Sequence, residues 1–202
     1  MKKRFFVIMF FLMIFSAQAF SMQSDFSMGF DMSYLGGDEQ KAVCDDEFGM
    51  YNEFPGHSAL MGIIFENYNM LFDWWNGTAG FMESFQIGNG FRLMGGIAYR
   101  GDFGYKSKFY LGAGLELINA SLSSVVDGSV FMMGLASELR IKFTPNNKFS
   151  PVVHFHFGYD PVVSGEYRSD EGHKSSSING TFFTFGFGAQ FCINNIKEFL
   201  NF

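Results

Sequence analysis

Along most of this chain, apolar and polar residues alternate with period two. In 26–35, Phe26, Met28, Phe30, Met32 and Tyr34 fall on one face, and Ser27, Gly29, Asp31 and Ser33 on the other. In 131–143, Phe131, Met133, Leu135, Leu139, Ile141 and Phe143 alternate with Gly134, Ala136, Glu138, Arg140 and Lys142. The same holds for 151–160, where Val153, Phe155, Phe157 and Tyr159 oppose His154, His156, Gly158 and Asp160. It holds again for 107–118 and for 183–194. A period of two is the period of a β-strand, whose successive side chains point to opposite faces. Each run is about as long as a tilted strand needs to cross a bilayer, roughly 9–11 residues.

The apolar rows are too bulky for an ordinary interior. The 202 residues include 29 Phe and 24 Gly. A soluble sandwich buries its apolar rows in a core only about 10 Å thick, and rows carrying four or five large residues per strand overfill it. A lipid-facing wall has no such limit. The opposite face is rich in Gly, Ala and Ser, as the narrow interior of a small barrel requires. These features predict an all-β, antiparallel up-and-down transmembrane barrel.

The N-terminus reads as a cleaved leader. Lys2, Lys3 and Arg4 precede the apolar run Phe5 to Phe15, and Ala17-Gln18-Ala19 supplies small residues at the peptidase positions. The run of 11 apolar residues is short for a helical span of about 20. The expected division is a signal peptide over 1–19 and one barrel domain over 20–202. Removing the leader takes three of the 14 basic residues and none of the 20 acidic ones, which leaves 11 against 20 and a net charge of −9. Such a chain lacks the basic face of a nucleic-acid binder.

Eight strands are expected, over 26–35, 57–66, 81–87, 91–100, 107–118, 129–143, 149–160 and 178–194. An even count places both ends on one side. With the N-terminus periplasmic, the outward connections are 36–56, 88–90, 119–128 and 161–177, and the inward ones 67–80, 101–106 and 144–148. Long outside and short inside is the asymmetry of bacterial barrels; 88–90 and 67–80 depart from it. Over 57–66 both faces are apolar, a helix over 60–75 competes, and Glu83 falls on the apolar face of 81–87. Trp74 and Trp75 suit an interfacial aromatic girdle.

In this pattern the chain resembles the small eight-stranded outer-membrane barrels of the OmpA-like and OmpX-like kind. The resemblance covers the mature chain and rests on pattern. The last strand adds Gly188-Ala189-Gln190-Phe191-Cys192-Ile193, which has the form Gly-x-x-apolar-x-apolar of that group's assembly signal, and Phe202 is a terminal aromatic. The tail 195–202 departs from the pattern by separating the two. The Phe-rich composition is also similar to that of spirochaete outer-membrane proteins. The resemblance implies a bacterial outer-membrane location, with lipid and the barrel-assembly machinery as partners, as a monomer.

The polar rows carry the candidate chemistry. Arg92, Arg100, Glu116, Glu138, Arg140, Lys142, His154 and His156 are expected inside the barrel. Unpaired burial of charge costs several kcal/mol, so these groups should pair into a structural plug; a gated pore is the competing reading. His154 and His156, two apart, point the same way, but a metal site needs three or four ligands. Asp160, on the same face, lies four residues further along. The pair therefore reads as a hydrogen-bonded part of the lumen, and no cofactor or metal is expected. No nucleophile–base pair is visible, so no enzyme is expected.

Three N-x-S/T triplets, at Asn76, Asn119 and Asn179, read as turns, and the acidic stretch 38–47 as a solvated outer loop. Cys44 in that loop and Cys192 near the periplasmic end of the last strand are too far apart for a disulfide, whose Cα atoms must lie within about 7 Å.

The function these features support is an integral barrel with a structural or surface-interaction role, presenting its outer loops. Two alternatives compete with it. One is a small channel. The other is a soluble, exported lipocalin-like barrel with Phe turned inward around an apolar ligand. No ligand or extracellular partner can be named from these residues.

Overall fold

The structure, a computed structural model, describes residues 23–37, 40–43, 51–54, 57–121, 127–143, 149–168, 174–175 and 181–193. The expected leader, Cys44 and the tail that ends in Phe202 lie outside the described residues.

Among the described residues, eleven strands follow in chain order: β1 (Gln23–Gly37), β2 (Gln40–Val43), β3 (Tyr51–Phe54), β4 (His57–Trp74), β5 (Gly77–Gly88), β6 (Gly90–Asp102), β7 (Ser107–Ser121), β8 (Asp127–Phe143), β9 (Phe149–Arg168), β10 (Lys174–Ser175) and β11 (Phe182–Ile193). Eight of them close on themselves. The ring runs β1, β4, β5, β6, β7, β8, β9, β11 and returns to β1, with every neighbouring pair antiparallel. Closure removes the free edges that an open sheet would present. β10 extends the edge of β9 by two residues, and β2 pairs with β3 as a separate hairpin.

Period two decides which residues face where. Along β8, from Val130 to Glu138, every second residue is buried and those between are exposed. The Phe rows point outward: Phe30, Phe157, Phe185 and Phe191 are each more than half exposed. The polar rows point inward, where Asp31, Arg92, Glu116, Arg140 and His154 have no exposure. An apolar outside and a charged inside reverse the arrangement of a water-soluble protein, and they do not fit the lipocalin-like alternative, which required Phe inside.

The strands outrun their sequence signals, which shortens the loops. The expected inward loop 67–80 is absent. β4 continues to Trp74, and Trp75-Asn76 forms a two-residue turn into β5, with Trp75 at a φ of 51°. Neither is 60–75 a helix. The hydrogen-bonded ladder to β1 and β5 satisfies its backbone, and that outweighs local propensity. On the outer side, β7 reaches Ser121, β9 reaches Arg168, and the connections expected over 119–128 and 161–177 shrink accordingly. Asn119 lies within β7 rather than in a turn.

The 88–90 turn remains tight, so β4 extends past the end of β5. Asn89 covers the overhang. Its amide nitrogen donates to the Ala59 carbonyl at 2.7 Å, and its Oδ1 accepts from Met61 N at 2.8 Å. Glu83 does face outward, paired in register with Asn67 of β4.

Candidate functional site: the barrel interior

The interior is stacked in layers along the axis. Nearest the outer loops sits an apolar cap of Leu35, Leu60, Ile118, Val130, Met132 and Phe182, with Ala120 and Val163. All of them lie near the outer ends of their strands. Beneath the cap the lumen is ionic. Arg92 Nε donates to Glu116 Oε2 at 2.8 Å, and its Nη1 lies 3.7 Å from Glu138 Oε2. Arg140 lies 3.7 Å from Glu66 Oε2 and rests between two rings, 4.9 Å from the Tyr68 centroid and 4.8 Å from that of Tyr110. A guanidinium over an aromatic face is attracted by the ring quadrupole, by about 2 kcal/mol when desolvated. Tyr68 in turn donates its hydroxyl to Glu138 Oε1 at 2.9 Å. Toward the end opposite the apolar cap, Asp25 collects Lys142 Nζ at 2.7 Å, the Tyr110 hydroxyl and, more weakly, the Cys192 thiol at 3.8 Å. Cys192 is buried and free.

Seven of the eight residues expected inside are buried: Arg92, Glu116, Glu138, Arg140, Lys142, His154 and His156. Arg100 sits half-buried at the rim that carries the β4–β5 and β6–β7 turns, where it donates to Gln23 Oε1. The network also draws in residues outside those eight, among them Asp25, Asp31, Glu66, Tyr68 and Tyr110. Asp25 precedes the alternating run of β1, and Asp31 sits within that run as one polar residue among small ones. Glu66 ends a segment apolar on both faces, and Tyr68 lies where a loop was expected. The extension of β4 through 67–74 is the signal that would have found the last two.

The two histidines lie in this layer. Their rings stack with centroids 5.3 Å apart, and His156 Nδ1 lies 3.3 Å from His154 Nε2. Asp31 of β1 approaches both, with Oδ1 at 3.4 Å from His154 Nδ1 and Oδ2 at 3.9 Å from His156 Nδ1. Ser33 gives its hydroxyl to Asp31 Oδ2 at 3.0 Å or to Gln86 Oε1 at 3.2 Å. Asp160, the acid that shares a strand face with the histidines, is engaged elsewhere, accepting from Thr184 Oγ1 at 3.0 Å.

At the end that carries the β4–β5 and β6–β7 turns the outer wall finishes in aromatics. Trp74 meets Tyr99 edge-on at 6.0 Å, and Tyr99 lies 6.0 Å from Phe109. Trp75 and Tyr105 are almost fully exposed in the β4–β5 and β6–β7 turns. A closed antiparallel ring with a lipid-compatible wall, an aromatic rim and every lumen charge withdrawn inside is a transmembrane β-barrel, the architecture of bacterial outer membranes.

No protein-family model and no curated protein matches the chain. Several solved outer-membrane barrels are similar to it. Neisserial surface protein A is 12% identical, over 82% of this chain and 95% of its own, with a TM-score of 0.42. The outer membrane protein OprG from Pseudomonas aeruginosa is 13% identical, over 83% and 96%, at 0.42. The outer membrane protein AlkL is 12% identical, over 84% and 90%, at 0.41.

Proposed function

We propose that this protein is a closed, non-catalytic barrel of the outer membrane that acts as a rigid scaffold for its outer connections, rather than as an open pore. One observation carries the reading: the lumen is filled. Arg92 and Arg140 have no solvent exposure, and they reach beyond their neighbouring strands, Arg140 of β8 to Glu66 of β4 and Arg92 of β6 to Glu138 of β8. An eight-stranded barrel is just wide enough for side chains to fill, and here large charged ones fill it. The apolar cap supports the same reading, because an ion entering from outside would first have to pass Leu35, Leu60 and Phe182.

A non-catalytic role is supported by the hydroxyl chemistry. Ser33, the hydroxyl in the histidine layer, is hydrogen-bonded to Asp31 and Gln86 rather than to an imidazole, and it is fully buried. The partners that fit are lipid along the Phe wall and the assembly machinery during insertion. A closed ring with no free edge suits a monomer. What remains for recognition is the outer connections, including the β2–β3 hairpin.

The test is conductance. Purified protein is inserted into planar lipid bilayers after its fold has been checked by the slower gel mobility that follows boiling. A correctly folded, silent barrel is expected; steady single-channel steps would overturn the filled-scaffold reading in favour of a channel.

A further inference from the structure

We propose that the barrel interior binds one divalent transition-metal ion of the Zn²⁺ class through Asp31, His154 and His156. The three side chains offer one ligand atom each, all within 4.8 Å of one another, and all three residues are buried. Zn²⁺ holds imidazole nitrogens and carboxylate oxygens at about 2.0–2.2 Å, so the edge of its tetrahedron is roughly 3.4 Å. One ligand atom from each residue can be chosen with all separations within 4.8 Å, somewhat wider than that edge, and the rings and carboxylate already approach as closely as 3.3 Å (His156 Nδ1 to His154 Nε2) and 3.4 Å (Asp31 Oδ1 to His154 Nδ1). Small side-chain rotations bring the three atoms onto one ion.

The register builds the site. His154 of β9, Gly188 of β11 and Asp31 of β1 lie in one row across three neighbouring strands, and His156, Gly186 and Ser33 form the next row. The two glycines leave the floor bare. A Cβ at Gly188 would stand 2.8 Å from Asp31 Oδ1 and 3.2 Å from His154 Nδ1, and one at Gly186 would stand 2.6 Å from His156 Nε2. The imidazoles and the carboxylate thus converge over β11 because that strand carries no side chain there.

Two further observations point to a cation. Asp31 Oδ1 and His156 Nε2 make no hydrogen bond, although both residues are at least nine-tenths buried. The described interior also buries six acids (Asp25, Asp31, Glu66, Glu116, Glu138 and Asp160) against three bases (Arg92, Arg140 and Lys142). The three acids in excess of the bases must either hold a proton or find another cation, because an unpaired buried carboxylate is costly; a dication would meet that need. A second acidic group, Glu66 and Glu138 with His154, is the weaker candidate. Arg140 already sits against Glu66 and Arg92 against Glu138, so cations occupy it. Two imidazoles out of three ligands select a first-row transition ion over Ca²⁺ or Mg²⁺.

The experiment uses the full-length exported barrel, purified in detergent without a polyhistidine tag, loaded with ZnCl₂, and freed of loose ions by desalting. Metal is counted by mass spectrometry on folded protein, identified by its heat-modifiable mobility. About one zinc per chain is expected in the unaltered barrel, and retention at least tenfold weaker in Asp31→Asn and in His156→Gln, since even outer-sphere changes at metal sites cost 10–100-fold. An unaltered barrel that holds no zinc, or folded variants that hold as much, would overturn the proposal. Should the variants fail to fold, the visible spectrum of the Co²⁺-loaded unaltered barrel decides. Intense tetrahedral bands support the site, and a spectrum like that of aqueous Co²⁺ sinks it. Neither outcome depends on whether the barrel conducts.

Discussion

Arg92 and Glu116 lie 2.8 Å apart with neither side chain reaching solvent. In such a pair, desolvation takes back much of the Coulomb attraction, so its net contribution is small, whereas removing one partner leaves an uncompensated buried charge. The two partners are not equivalent here. Arg92 also faces Glu138 at 3.7 Å, so its loss strands two carboxylates, while loss of the Glu116 charge leaves Arg92 a partner. Arg92→Met is expected to destabilise the barrel by roughly 3–5 kcal/mol. Glu116→Gln keeps a hydrogen-bond acceptor and should cost less than half of that. Urea unfolding in lipid vesicles measures both; equal losses would mean that Glu138 is not a partner. Trp75 poses a smaller problem at the same scale. It holds a left-handed backbone conformation in the β4–β5 turn, at a φ of 51°, which costs an L-residue with a Cβ about 1–2 kcal/mol. Trp75→Gly should therefore raise the unfolding free energy in detergent by about 1 kcal/mol. The gain should shrink in vesicles, where the exposed indole can anchor at the interface.

At the scale of elements, each strand presents one face to lipid and one to the packed lumen, and a substitution means opposite things on the two. Phe187 lies midway along β11 and points outward, half exposed. Phe187→Arg places a guanidinium near the bilayer midplane and should cost about 2–4 kcal/mol in vesicles. In detergent micelles, which deform around a charge, the loss should be smaller. A similar loss in both media would argue that Phe187 does not face lipid. The lengths of β4, β7 and β9 belong to this scale too. Their alternation fades before the strands end. Over 67–74 the residues Asn67, Asn69 and Asp73 interrupt the apolar row, and at 161–168 the row gives way to polar residues. What carries these strands onward is the partner strand. Once β5 or β8 is in register, the next backbone pair is already aligned, and leaving it unpaired would cost more than the poor local propensity.

For the whole molecule, export is a proposal with a direct measurement. If the leader is removed after Ala19, the intact mass of protein recovered from outer membranes corresponds to a chain starting at Phe20; an uncleaved chain in that fraction would count against the leader. Closure of the ring is also a property of the whole. It joins β1 to β11, whose paired residues Phe26 and Ile193 are 167 positions apart, and it brings Asp31 alongside His154 and His156. Asp31 can meet the two histidines only when the last strand finds the first, so the proposed metal site forms once the ring has closed, whereas the Arg92–Glu116 pair spans neighbouring strands and needs no closure.

Only the structure settled the strands over 57–66 and 81–87 and turned the Phe rows outward; the alternation by itself determined the other strands and sorted their residues into an apolar and a polar face. Those are local matters, since a period of two assigns faces whatever the partner strand. The tertiary structure alone decided which interior residues meet. The His pair was legible in β9, but its third ligand lay on β1, separated from β9 by β11, and only register places it there. Asp160, nearer in sequence and on the same face, pairs instead with Thr184 of the neighbouring β11. Register depends on closure and turn lengths rather than on any single segment, and a one-residue slip would have turned every side chain of a strand to the other face.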